Sequence, residues 1–533
     1  MIFFATVALV FRRVCTLAKR TSNSFLSALS LIWRGTKAAA LWVMLLVSAA
    51  PLWADPPPIT ALISDVTVID GLGEAPLLHR YVLLQEGRIA SIDTKQPVVG
   101  ADVVVIDGRG FYLLPGFWDM HAHTFADTTA MELYLAAGVT GLRDMGCPEN
   151  CTTKLGEVRQ AYLSGSGVYP RLIFSGPMID GDSPYADYPS HRQINLQTLP
   201  DALAVLQKLQ VDFIKVRDFL SRDEYMALVG AGAAMQLQLA GHVPISLSVN
   251  EAVRSGLSTV EHEGSLFGGL LLACSSDESK LRDELRDMMR KAAASGDEET
   301  LYAEALNASF VDRLLNSYDP NKADALVQAF VDSDAALVPT LVMLEPMLRS
   351  ADPEFNGRRK VDDEEFIDAP DTLISGWRET AGKEVLGQPF SDLDRAAMAR
   401  QYNQVVKLIG KMHRAGVPIL AGTDASFPDG TPWVWPGYSL HDELELLVSA
   451  GLAPSEAIAS ATGAAAAQMG LSDTGVIAAG NRADLILLGR NPLEDIRNTR
   501  AIKRVWVNGQ PVDRDALLDR VKRRAEDHEN YWE

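Results

Sequence analysis

His121-Ala-His123 ends an apolar run that begins Leu113-Leu-Pro-Gly-Phe-Trp-Asp-Met. In a strand, residues i and i+2 lie on one face, so both imidazoles can reach a single cation. A His-x-His pair alone is a weak signal, because such pairs arise by chance. Lys215 says more: Val211-Asp-Phe-Ile-Lys-Val216 reads as a buried strand, where an unpaired ammonium is costly. Something must neutralise it or use it, and the plainer alternative is a salt bridge to a carboxylate such as Asp144 or Asp424. His242 in Gln238-Leu-Ala-Gly-His-Val-Pro244 and His262 in Ser258-Thr-Val-Glu-His-Glu263 each close a short apolar run, and Asp424 is the one acid at the tip of Pro418-Ile-Leu-Ala-Gly-Thr-Asp-Ala425. Each alone is more often structural than functional. Together, four of the nine histidines, one lysine and one aspartate stand at the ends of five expected strands. Neutral imidazole with carboxylate is a ligand set that suits zinc. A cation held there would lower the pKa of water toward ~7 and polarise a carbonyl under attack. An acid touching both could take the proton and hand it to the leaving group, and Asp424 is the candidate for that catalytic role.

These groups must be carried by elements that end together. Between residues 114 and 469, short buried-type strands alternate with helical stretches, the pattern of a parallel sheet with crossover helices. Strand ends are expected near His121, Asp144, Ser175, Lys215, His242, His262, Thr340 and Asp424. Eight is the number a (β/α)8 TIM barrel requires, and such barrels place catalytic groups at the C-terminal ends of their strands. A doubly wound open sheet is the alternative, but no Gly-x-Gly-x-x-Gly follows a strand to suggest a dinucleotide cofactor. Residues 55–113 and 470–517 are strand-like and rich in turn residues, with an Asn-Gly hairpin signal at Asn508-Gly509, so both chain ends are expected to build one small β-sandwich domain. Two stretches exceed ordinary connections, at about 264–335 and 345–395. They read as insertions on the active-site side, able to serve as lids or pocket walls.

The motifs Pro115-Gly-Phe-Trp-Asp-Met-His-Ala-His123, Phe213-Ile-Lys-Val216, Gly241-His-Val-Pro244, Val260-Glu-His262 and Gly422-Thr-Asp424 resemble, in order and spacing, the amidohydrolase superfamily, especially its imidazolonepropionase-like and Xaa-Pro dipeptidase (prolidase-like) branch. The resemblance extends over nearly everything after residue 58, including the tail segments Gly451-Leu-Ala-Pro-Ser-Glu-Ala-Ile458 and Gly480-Asn-Arg-Ala-Asp-Leu485. It implies two divalent metal ions. His121 and His123 would hold the more buried one with Asp424, His242 and His262 the second, and Lys215 would bridge them as a carbamate formed with carbon dioxide. A neutral amine that adds carbon dioxide becomes an anion with two oxygens, which turns an expensive buried cation into a ligand. Single-metal members of the superfamily lack this lysine, so Lys215 favours the two-metal hydrolases. Zinc is the default metal, with manganese, cobalt and iron left open.

The expected activity is hydrolysis of an amide or peptide bond in a small molecule, of dipeptide or N-acyl amino acid type. The alternatives are a lactone or phosphotriester hydrolase on the same centre, since the ligands fix the activated water and not the electrophile, or a non-catalytic exported binding protein on the same scaffold. Arg217, two residues beyond Lys215, could meet a substrate carboxylate, with a surface salt bridge as the equal alternative. His191, in the loop after the third strand, is a second candidate substrate contact. His441 reads as a supporting or helix-capping residue.

Of the 533 residues, 49 are basic and 69 acidic; the first 54 carry six of the basic residues and no acid, so without them 43 face 69 and the net charge falls from -20 to -26. An acidic surface argues against nucleic acid or an anionic membrane as partner. Arg34 to Lys37, the apolar run 38–50 and Pro51-Leu-Trp-Ala54 read as a secretory signal cleaved near Ala54, giving a secreted or periplasmic protein with no membrane segment in its mature form. An uncleaved N-terminal anchor is the alternative, and the stretch before Trp33 suggests that translation starts further downstream. Cys15 falls in the leader, leaving Cys147, Cys151 and Cys274. Cys147 and Cys151 are as readily a loop staple as two free thiols, and no further Cys or His stands near them at zinc spacing. The oligomeric state is open, a homo-oligomer included.

Overall fold

Strands from both ends of the chain meet in one sheet. In this computed structural model, which describes residues 60–183, 188–264, 269–295, 303–349, 384–385, 388–427 and 433–527, Tyr112–Pro115 pairs in parallel with Ala61–Val68 on one side and antiparallel with Leu485–Leu488 on the other. Leu77–Gln85, Arg88–Asp93 and Val104–Asp107 extend the sheet from the first strand, and Ile502–Val507 and Gln510–Pro511 from the last. Its core is its own: Ile63, Val66, Val82, Leu84, Leu113, Leu485, Leu487 and Trp506 pack together out of solvent. The Asn508-Gly509 turn forms as expected, with φ of 49° and 72°, the positive angles that a two-residue hairpin of this kind demands. Among the described residues all eight strands belong to one hydrogen-bonded sheet, where a two-layer sandwich was expected.

The middle of the chain is α/β. Phe117–His123, Val139–Asp144 and Arg171–Phe174 are parallel neighbours, joined at the outer edge by Ala425–Ser426. A second parallel sheet runs His191–Gln193, Met178–Asp180, Phe213–Val216, Gln238–Gly241, Leu257–Glu261 and Ala336–Val338. Helices cover the connections, among them Thr128–Ala136, Glu149–Ser164, Leu199–Leu209 and Arg222–Met235. The last of these starts on a capping box in which Ser221 and Glu224 satisfy each other's backbone N–H groups. Seven of the expected strands end within two residues of the positions read from the sequence.

The eighth does not form as a regular strand. Residues 417–424 bond piecemeal, Pro418 O and Leu420 N to Leu337, and Ala421 O to Met120 N. At the opposite side, Asp212 N donates to Phe174 O, so the two sheets touch by hydrogen bonds at both margins without making one continuous eight-stranded ring. Asp424, at the end of this segment, sits at φ 58°, in the left-handed region. Of the first expected insertion, helices Glu278–Ser295 and Ala308–Asn316 are seen, with Leu281, Leu285, Met289, Phe310 and Leu314 buried. The leader, including Ala54 and Cys15, and most of the second insertion lie outside the described residues.

Candidate metal centre

The tips of five parallel segments bring all six candidate ligands into one cluster. His121 and His123 share a face of Phe117–His123, and their Nε2 atoms lie 3.3 and 3.4 Å from Asp424 Oδ1. One donor atom from each of these three residues lies within 4.8 Å of the other two. His262 Nε2 is 3.9 Å from Asp424 Oδ2, the His242 and His262 rings are 5.0 Å apart, and Lys215 Nζ is 3.5 Å from His121 Nε2.

Every imidazole is oriented from behind. His121 Nδ1 is 2.8 Å from Glu261 Oε2, His123 Nδ1 is 3.2 Å from Gly146 O, His242 Nδ1 is 2.8 Å from Asp218 Oδ2, and His262 Nδ1 is 2.7 Å from Thr340 Oγ1. Carboxylate and carbonyl partners accept, so Nδ1 carries the proton and Nε2 presents its lone pair to the centre. Burial holds three of the imidazoles neutral: His121 and His262 are pushed well below the usual range, and His242 to about 4. Asp424 goes the other way. Burial alone would raise it, but His262, His123 and Lys215 around it hold the carboxylate well below its ordinary value. The group is a set of nitrogen donors around an ionised carboxylate, the kind of set a divalent cation takes.

Lys215 is 1% exposed, and burial lowers its amine from 10.5 to about 7. Asp144, the sequence's alternative partner for it, is engaged elsewhere: it accepts from Thr124 N, Thr124 Oγ1 and Gly146 N. Gly241 explains part of the Gly-His-Val-Pro motif. At φ 139°, a Cβ there would stand 2.2 Å from Val216 O and 3.1 Å from Lys215 Cδ, so only glycine admits this lysine beside His242.

His262, Asp424 and Thr340 all adopt positive φ, at 58°, 58° and 46°. Non-glycine residues held there cost of order 1–3 kcal/mol each and gather where the surrounding structure enforces a functional geometry. The enforcement is visible at Asp119, whose Oδ1 accepts from His121 N and Thr423 N and whose Oδ2 accepts from Thr423 Oγ1 at 2.6 Å. One buried carboxylate thereby ties the first strand's tip to the residue before Asp424.

The two expected substrate contacts occupy one neighbourhood. Arg217 Nη2 lies 3.4 Å from Asp218 Oδ2, which favours the salt-bridge alternative, and the side chain keeps 17% of its surface. His191 is half-buried, and burial together with Arg217, and to a lesser degree His242 and His123, lowers it to about 3. His441 belongs elsewhere: its ring bridges Thr499 Oγ1 and the carbonyl of Ala137 at the end of helix Thr128–Ala136. Sequence reasoning passed over Asp119, Arg143, Asp218, Glu261, Thr340 and Thr423. The signal that marked Lys215 was present at three of them, since Asp119, Arg143 and Glu261 are also charges inside apolar runs. Cys147 and Cys151 are joined, Cα atoms 5.8 Å apart, and Cys274 is buried and free.

Residues 400–512 match the amidohydrolase family. Sixty-two residues are 44% identical to a dihydroorotase from Thermus aquaticus, covering 12% of this chain and 13% of that relative's length. An adenine deaminase from Moorella thermoacetica is 35% identical over 60 residues, 11% of this chain and 10% of its own. Thus the chain spans a small part of the curated relatives it matches. Among solved structures, a putative prolidase from Bifidobacterium longum superposes with a TM-score of 0.61 at 21% identity, over 87% of this chain and 100% of its own. A bottromycin amidohydrolase gives 0.62 at 22%, over 89% and 92%. A Xaa-Pro dipeptidase with methionine in its active site gives 0.57 at 18%, over 85% and 99%. At these identities the likeness is one of fold.

Proposed function

We propose that this chain, whose fold and C-terminal segment are those of the amidohydrolase superfamily, is a two-metal hydrolase that cleaves an amide or peptide bond in a small dipeptide-like or N-acyl amino acid substrate. The reading takes the two parallel sheets as the halves of a (β/α)8 barrel spanning about 114–469, flanked by the domain that 55–113 and 470–517 share. What carries it is the convergence of His121, His123, Lys215, His242, His262 and Asp424, each imidazole presenting Nε2 inward because its Nδ1 is engaged.

His121, His123 and Asp424 would hold one divalent cation and His242 and His262 the other, with zinc the default. Such a pair makes water nucleophilic near neutral pH and polarises the bond under attack. The rest falls to the chain. Lys215, whose burial favours the free amine, would add carbon dioxide at Nζ with loss of a proton and so offer two anionic oxygens as ligands. Asp424, ionised at rest, takes the proton from the attacking water and delivers it to the departing amine nitrogen. Arg217 and His191, which lie close enough to interact, would be the contacts for a substrate's carboxylate. The reading includes export after cleavage near Ala54.

The test is a screen of Xaa-Pro dipeptides, N-acyl amino acids, lactones and phosphotriesters with zinc-loaded protein, alongside metal analysis. Turnover of the first two classes supports the reading. Preference for lactones or phosphotriesters would replace the substrate class, and a chain without stoichiometric metal would be a binding protein.

A further inference from the structure

We infer that two arginine–carboxylate–imidazole relays, Arg143–Glu261–His121 and Arg217–Asp218–His242, position one ligand at each of the two metal sites, and that each relay governs the occupancy of its own site. The inference rests on the two-metal reading above and concerns residues outside the ligand set.

The four imidazoles are not backed alike. His123 and His262 lean on uncharged groups, the Gly146 carbonyl and the Thr340 hydroxyl. His121 and His242 lean on carboxylates, Glu261 at 2.8 Å and Asp218 at 2.8 and 2.9 Å. Each expected pair, His121 with His123 and His242 with His262, therefore contains one imidazole backed by a charge and one backed by a neutral acceptor. A carboxylate behind an imidazole fixes its tautomer and makes the far nitrogen a stronger donor, and it places negative charge close to the cation.

Each carboxylate is in turn held by an arginine. Arg143 is 4% exposed and makes three directed bonds: Nε to Met120 O at 2.6 Å, Nη1 to Thr259 Oγ1 at 2.9 Å, and Nη2 to Glu261 Oε1 at 2.7 Å. Thr259 Oγ1 also donates to Glu261 Oε1, at 2.5 Å. Both oxygens of the fully buried Glu261 are thus committed, one to the guanidinium and threonine, the other to His121. A buried carboxylate in such surroundings is tolerated only when paired and hydrogen-bonded, and here the pairing leaves it one orientation. The second relay is looser. Arg217 reaches Asp218 at 3.4 Å from a position partly open to solvent, and Asp218 uses both oxygens on His242 Nδ1. The pairing of Asp218 with Arg217 explains why this arginine leans away from a purely substrate-facing role.

The experiment compares wild type with Glu261→Gln, Asp218→Asn and Thr259→Val, each purified, titrated against a chelator, and counted for metal by mass spectrometry. Stepwise cobalt(II) loading, followed by absorption, reports whether one site or both are weakened. The amide variants preserve shape and keep one acceptor oxygen for Nδ1, while removing the charge and turning the other oxygen into a donor that weakens the link to the arginine. Glu261→Gln is expected to lower affinity at one site roughly 10–100-fold while leaving the other unchanged, and Asp218→Asn to do the same at the complementary site. Thr259→Val, which alters no charge, gives a smaller loss at the Glu261 site and keeps the test informative if Glu261→Gln does not fold. Loss of both metals in parallel, loss of the same metal in both variants, or unchanged affinity in all three would overturn the relays while leaving the two-metal reading intact. A wild-type chain that binds no metal would sink that reading and the relays with it.

Discussion

Replacing Lys215 by methionine should make the metal-free protein more stable and the enzyme inactive. The amine is buried and falls from 10.5 to about 7, chiefly by desolvation. At ~1.4 kcal/mol per decade, that difference amounts to about 5 kcal/mol against the charged form. The unfolded chain binds a proton on this lysine up to pH 10.5, whereas the folded chain gives it up near 7. Stability contributed by the site therefore rises with pH between 7 and 10.5, because the unfolded state is the better proton binder there. Methionine is close to lysine in volume and carries no charge. The variant should exceed wild type by about 4 kcal/mol at pH 7 and by about 2 kcal/mol at pH 9, as upper bounds from the same linkage. Comparison with wild type at each pH cancels the buried groups that do not interact with Lys215, and leaves in the difference those that do, such as Asp424 and His262. The assay is denaturant unfolding of chelator-treated protein at both pH values, followed by metal counting and turnover after reloading with zinc and bicarbonate. A methionine variant no more stable than wild type at pH 7, or an advantage that does not shrink at pH 9, would refute the desolvation argument. Two retained metals with normal turnover would refute the carbamate bridge.

Asp424→Asn should leave the apoprotein folded and lower kcat by roughly 10²–10⁴-fold, the range for loss of a proton-transfer group, and a near-normal rate would remove that role. Thiol titration of denatured, unreduced protein lacking its leader should find one free thiol, Cys274, whereas three would contradict the Cys147–Cys151 link. Burial raises Glu443 from 4.5 to about 8, so the folded chain keeps a proton there that the unfolded chain releases. Stability from that group is present in acid and lost as pH climbs through 8; Glu443→Gln should flatten this loss when unfolding is compared at pH 5 and pH 8, and an unchanged slope would show that Glu443 does not titrate so high. Deleting residues 1–54 should yield soluble, folded protein, and failure to fold without them would count against the leader assignment.

The candidate ligands were legible because each member breaks the pattern of its surroundings. A lysine in Phe-Ile-Lys-Val, or a lone aspartate closing Ile-Leu-Ala-Gly-Thr-Asp, stands out against apolar neighbours whose periodicity already marks a strand. Strand ends could be placed for the same reason, since side-chain alternation and turn residues are local properties. The eighth strand failed that reasoning. Its sequence is as apolar as the others, but residues 417–424 make only scattered hydrogen bonds to Leu337 and Met120, and Asp119 of another strand holds Thr423 instead.

What the chain determines by itself is which groups could act and where the segments that bear them stop, because burial, alternation and turn chemistry are written residue by residue. Which nitrogen of each histidine faces inward was decided only when Glu261, Gly146, Asp218 and Thr340 arrived behind them. Two of these lie within 25 positions of their histidine, but Glu261 is 140 residues from His121 and Thr340 is 78 from His262. A hydrogen bond between residues so far apart has no sequence signature, since it exists only once the packed strands bring their tips together.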